Sequence, residues 1–209
     1  MRSFAALRMT LLMLSTNRNK FQKLIAFIAK PFLKVHPNIL TFISLLFAVL
    51  FFIALFYHIY ILALCSSIGL LFDAIDGYVA RTTNKTSAFG AFLDSTLDRV
   101  ADFLVISAFG FAHLVSWEIV TVLLAMSFLV SYVRSRAEIA SKLQIAFGDG
   151  LIQRAERLII IFISLLAYVV FPNLRLGSWN IVEIVFLLLI LLSTYTLIQR
   201  IWSTYKRVS

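Results

Sequence analysis

An all-α bundle of membrane spans is the fold class this sequence predicts, and three observations carry the prediction. Hydrophobic residues make up 61% of the chain and charged residues only 14%, with a mean hydropathy of +0.95, a balance foreign to water-soluble domains. The apolar residues fall in runs of about twenty, the length a helix needs to cross a bilayer. Lysines and arginines gather at the ends of those runs instead of forming one patch. A soluble globular domain is thereby excluded. The net charge of +9 reads as attraction to anionic lipid and anionic substrate, with no nucleic acid as partner.

Residues 1–36 form an N-terminal tail and an amphipathic interfacial helix. Arg2 and Arg8 precede only a short apolar stretch, Met9 to Leu14, with no small-residue cleavage site, so no cleavable signal peptide is expected. Residues 1–12 read either as a tail or as lying ahead of a true start at Met13. From Asn17 to His36, Phe21, Leu24, Ile25, Ile28, Phe32 and Val35 share one helical face, flanked by Lys20, Lys23, Lys30 and Lys34. This pattern suits a helix lying in the membrane interface, bent at Pro31, or a basic flank that only orients the first span.

Residues 37–209 form a single transmembrane domain of six helices. The expected spans are Asn38–Phe56, Tyr60–Arg81, Ser87–Val115, Trp117–Glu138, Ile152–Phe171 and Trp179–Trp202. Tyr57, Tyr60, Trp117, Trp179 and Trp202 stand near span ends, where aromatic rings bridge water and lipid. All lysines and arginines but Arg175 fall on one side of these spans. The positive-inside rule then puts both termini on the cytoplasmic side of a multi-pass cell-membrane protein. Cys65, the sole cysteine, sits in an apolar run and forms no internal disulfide.

The second and third spans carry the chemistry. Asp73 and Asp76 stand three apart, Asp94 and Asp98 four apart, so each pair shares a helix face. A polar turn, Thr82 to Thr86, lets the helices lie antiparallel with the pairs facing each other. Carboxylates near the bilayer core cost about 2.5–3.5 kcal/mol each on insertion scales, so four kept together imply a purpose. Four would also repel strongly unless protonated or bridged by a cation, and an all-oxygen cluster suits hard Mg2+ or Mn2+. Two such ions beside a diphosphate would neutralise its charge and stabilise the departing oxygen. Gly77 and Gly90 would let a ligand come close, and Arg81 offers a planar donor to phosphate oxygens. Asp102, one turn beyond Asp98, reads as a partner for a nearby basic residue, not as a further ligand. A divalent-cation channel or transporter would thread its carboxylates through the membrane; here they gather at one side.

The full spacing, Asp73-x2-Asp76-Gly77-x2-Ala80-Arg81-x8-Gly90-x3-Asp94-x3-Asp98, resembles the CDP-alcohol phosphotransferase family at every motif position. The resemblance implies that Asp73, Asp76 and Asp94 bind the metals, while Asp98 lies near them and serves as the catalytic base. It implies contacts to a CDP-lipid from Asp73, Gly77, Ala80, Arg81, Ser87 and Gly90, and from Asn38, Ile39, Leu40 and Thr41 within a Pro-Asn-x-x-Thr pattern. It also implies a homodimer.

The acceptor is read from the fourth to sixth spans. Arg134, Arg136, Arg154 and Arg157 flank one connecting turn, and Arg200 arrives at the same level. Arginines clustered at membrane depth point to a bound anion, or to positive-inside flanking with Glu138 and Glu156 as partners. The SYVRSRAE and RAER segments resemble the inositol-phosphate branch of the family, the phosphatidylinositol-phosphate and archaetidylinositol-phosphate synthases. Gln153 departs from the glutamate many relatives carry there. By this resemblance Arg134, Arg136, Arg154 and Arg200 would hold inositol phosphate, with glycerol 3-phosphate as the rival acceptor and a diacyl or archaeal ether lipid as donor.

Overall fold

The computed structural model describes residues 26, 28–70, 72–140 and 152–208. Half of the expected interfacial helix, Asn17–His36, lies outside the described residues. What is described near its end includes a 3-10 turn, Lys30–Phe32, with Pro31 at its start, consistent with a ring that fixes φ and removes a donor. Among the described residues seven α-helices follow: α1 (Pro37–Phe56), α2 (Tyr60–Gly69), α3 (Phe72–Thr82), α4 (Ala88–Phe111), α5 (Trp117–Ala140), α6 (Arg154–Val170) and α7 (Ile181–Val208). A two-residue antiparallel ladder, β1 (Arg175–Leu176) with β2 (Trp179–Asn180), turns through Gly177 at φ +63°, a left-handed conformation that glycine adopts without strain.

The all-helical expectation holds, and three of the six expected spans are recognisable by length and composition among the described residues. Among the described residues, three helical segments are long and apolar enough to cross a membrane: Pro37–Phe56, Trp117–Ala140 and Ile181–Lys206. Within the second expected span, α2 ends at Gly69 and α3 begins at Phe72. Helix α4 has the length, but Asp94, Asp98, Arg99 and Asp102 lower its apolar character. Helix α6 opens on Arg154, Glu156 and Arg157 and is 17 residues long. These charges are what dilute the two signals.

The chain divides into two compact units. The first comprises residues 1–45 and 69–97. Its apolar cluster joins Ala29, Leu40, Ile75 and Val79, with Phe32, Ile43 and Phe72 packed against it. Phe72, Ile75 and Val79 recur at helical spacing on α3, so the same periodicity turns Asp73, Asp76, Gly77 and Ala80 to another flank. The turn after α3 is closed by a Schellman arrangement: Lys85 N–H donates to Ala80 O at 3.0 Å, and Asn84 takes the left-handed position at φ 52°. Ser87 then starts α4 by accepting from Gly90 N–H at 3.0 Å, an N-cap bond.

The second unit comprises residues 46–68 and 98–209. Phe51, Phe109 and Phe186, all fully buried, stitch α1, α4 and α7 together, with ring centroids 6.0 Å and 5.0 Å apart along the series. Helices α6 and α7 both start on capping boxes. Gln153 N–H donates to Glu156 Oε2 at 2.9 Å, and Asn180 N–H donates to Glu183 Oε2 at 3.0 Å while Asn180 Oδ1 accepts from the Val182 and Glu183 amides.

Candidate active site

Within the first unit, α1, α3, the turn and the start of α4 enclose a groove. Asn38 and Thr41 reach it from α1, and Asp76, Gly77, Ala80 and Arg81 from α3. Ser87, Gly90 and Asp94 reach it from α4. The two glycines are where the walls come closest. A Cβ on Gly77 would stand 3.3 Å from Arg81 Nη1, so the guanidinium folds back over the bare backbone one turn earlier. A Cβ on Gly90 would stand 3.0 Å from Ser87 Oγ and 3.4 Å from Asn38 Oδ1, so its absence keeps this end of the groove open.

Three of the residues expected to contact a CDP-lipid do not line this groove. Leu40 is fully buried in the apolar cluster and Ile39 is 52% exposed, so of the Asn38–Thr41 stretch only Asn38 and Thr41 line the groove. A helix rotates by about 100° per residue, and four consecutive side chains cannot share one wall. Asp73 does not line the groove either. Pro37, Lys85, Thr86 and Ala91 do line it, although the motif spacing does not single them out. Lys85, the one basic residue in the turn between the two aspartate-bearing helices, is the signal that would have extended the reading.

Three of the four aspartates, Asp73, Asp76 and Asp94, belong to the first unit. One carboxylate oxygen of Asp73 on α3 lies within 4.8 Å of one on Asp94 on α4. Two half-buried carboxylates this close offer hard oxygen donors to a divalent ion, so the donor set fits Mg2+ or Mn2+. Asp76 is only 4% exposed and accepts a 2.5 Å hydrogen bond from Thr41 Oγ1. Asp98 follows Asp94 by one turn of α4.

In the second unit Asp98 meets an arginine. Arg154 Nη1 lies 2.7 Å from Asp98 Oδ1 and its Nε donates to Asp102 Oδ1 at 2.9 Å. Arg157 Nη2 donates to Asp102 Oδ2 at 2.6 Å, which bears out Asp102 as the partner of basic residues. Arg134 and Arg200 have contacts of their own. Arg134 pairs with Glu138 at 3.0 Å on the α5 surface, Arg136 is exposed, and buried Arg200 donates from Nη1 to Val130 O at 2.7 Å. Glu156 serves the α6 cap.

Residues 34–203 match the family model described as CDP-alcohol phosphatidyltransferase. The chain is 37% identical over 199 residues to archaetidylinositol phosphate synthase of Pyrococcus horikoshii, covering 94% of this chain and 98% of that protein. It is 40% identical over 152 residues to the archaetidylinositol phosphate synthase of Methanothermobacter thermautotrophicus, covering 70% of each. Among solved structures it resembles Mycobacterium tuberculosis phosphatidylinositol phosphate synthase with CDP-DAG bound, at a TM-score of 0.66 and 26% identity over 88% of this chain and 94% of that one. The same enzyme in complex with manganese and citrate gives a TM-score of 0.64 and 27% identity over 87% and 88% of the two chains.

Proposed function

The chain belongs to the CDP-alcohol phosphatidyltransferase family, and on that premise we propose that it transfers a phosphatidyl-type group from a CDP-activated lipid to inositol phosphate, releasing CMP. It is a transferase of phospholipid biosynthesis. The observation that carries the reading is the approach of Asp73 and Asp94 to within 4.8 Å, with Asp94 also lining the groove of Gly77, Arg81, Ser87 and Gly90. The acceptor is supported by the inositol-phosphate relatives and by the arginines of α5, α6 and α7.

Asp73, Asp76, Asp94 and Asp98 would hold the divalent ions, two in number. When bound, such ions neutralise a diphosphate and polarise the phosphorus under attack. The groove orients the CDP-lipid: Arg81 faces the phosphate oxygens as a planar donor, and Asn38, Thr41 and Ser87 supply polar contacts along its walls. Asp98 takes the proton of an acceptor hydroxyl. That oxygen forms a bond to the lipid-bearing phosphorus as the bond to CMP breaks, and the electron pair leaves on the CMP phosphate. Arg134, Arg136, Arg154 and Arg200 hold the acceptor's own phosphate, which a neutral alcohol such as serine lacks. CMP needs little protonation to depart, so no separate acid is required.

We further propose six membrane passes, an N-terminal interfacial helix, a cytoplasmic active site and a homodimer. The three apolar helices and the one-sided basic residues support the passes and orientation; family resemblance supports the dimer. The deciding experiment offers purified protein CDP-diacylglycerol or its archaeol counterpart with a panel of alcohols, following CMP. Release is expected with inositol phosphate. Release with glycerol 3-phosphate and none with inositol phosphate would overturn the acceptor.

A further inference from the structure

Asp102 sits one turn beyond Asp98 on α4, and its side chain is only 2% exposed. Its two oxygens are divided between two arginines of α6: Oδ1 takes Arg154 Nε at 2.9 Å and Oδ2 takes Arg157 Nη2 at 2.6 Å. The arginines stand three residues apart at the start of α6, so they present to one side of it. Arg157 is 1% exposed, and a buried cation of this kind is costly without its counter-charge. Arg154 differs. Its side chain is 17% exposed and its Nη1 lies 2.7 Å from Asp98. Carboxylates one turn apart on a single helix thus grip one guanidinium at two points, fixing both its place and its plane.

Resting on the reading of Arg154 as a contact to the acceptor's phosphate, we propose that Asp102 is a positioning residue: it holds the Arg154 guanidinium ready for that phosphate beside Asp98. The gain comes from preorganisation. A long arginine left to itself loses rotamer freedom when it captures an anion, whereas one already held by Nε has lost that freedom on folding. The planar fork makes this possible, because Nε and Nη1 are separate donors in a rigid frame. A lysine ammonium has the charge and lacks the frame. Asp102 therefore acts on the affinity for the acceptor and leaves the nucleotide groove of the first unit untouched.

The test measures both Michaelis constants in variants chosen so that no buried cation is stranded. Asp102→Asn is made in an Arg157→Gln background and compared with Arg157→Gln alone, with monodispersity and melting in detergent reporting the fold. We expect KM for inositol phosphate to rise about tenfold or more while KM for the CDP-lipid stays within about twofold. An unchanged acceptor KM, or an equal rise in both constants, overturns the proposal and leaves Asp102 as packing. Arg154→Lys in the otherwise native chain is the second arm. It keeps the charge and is expected to raise the acceptor KM about as far as Arg154→Ala does; a native acceptor KM overturns positioning by a fixed plane. An unchanged acceptor KM in Arg154→Ala itself would instead remove the reading of Arg154 on which the proposal rests.

Discussion

The Thr41 hydroxyl gives Asp76, a carboxylate almost wholly buried, a 2.5 Å hydrogen bond. Thr41→Val keeps the shape and removes the donor, so the oxygen is left unsatisfied at a cost of about 1–3 kcal/mol; a melting curve in detergent is expected to shift down accordingly. Asp98→Asn is the sharper test of chemistry. It is expected to lower kcat about 10^2- to 10^4-fold, the usual worth of a positioned base, with KM for the CDP-lipid little changed; near-native CMP release would remove Asp98 from that role. These residues were legible because carboxylates three and four apart in an apolar run have few explanations. Leu40 was not, because reading Asn38 to Thr41 as a block overlooks the rotation that buries Leu40 with Ile75 and Val79. The arginines were legible only in part: charge marks Arg134 and Arg154 alike, and only the fold separates a surface pair with Glu138 from a guanidinium held by Asp98 and Asp102.

At the scale of elements, the connection between α3 and α4 sets the distance between the aspartate pairs. Its geometry depends on Asn84 at φ 52°. Asn84→Gly is expected to fold like the native chain, whereas Asn84→Val is expected to destabilise it by roughly 1–2 kcal/mol, since a β-branched residue resists the left-handed region. A thermal melt of the two variants side by side measures the difference. The polar stretch Thr82–Thr86 announced a turn. The end of α2 at Gly69 had no such announcement, because Tyr60 to Phe72 is a mainly apolar run and periodicity alone does not report where a helix stops.

For the molecule as a whole, the proposed acidic site completed by divalent cations predicts that metal supplies both activity and stability. Stripping with EDTA is expected to abolish CMP release, and Mg2+ or Mn2+ to restore it. The melting temperature should climb with added ion, as mass action requires of any ligand bound only by the folded state. Activity that persists under strict chelation would refute metal dependence. The all-helical character was legible from hydropathy, whereas span number was blurred: α4 and α6 carry the acidic and basic groups of the proposed chemistry, and those groups subtract from the hydropathy by which spans are recognised.

The start of α3 at Phe72 has an electrical consequence. Asp73 falls in the opening turn of α3, where the first peptide N–H groups have no carbonyl partner within the helix; its own N–H donates to Leu70 O at 3.3 Å. Their aligned dipoles amount to roughly half a positive charge at that end. An anion placed there is partly counterbalanced by the backbone itself, so the fold carries the Asp73 carboxylate without relying on a cation alone.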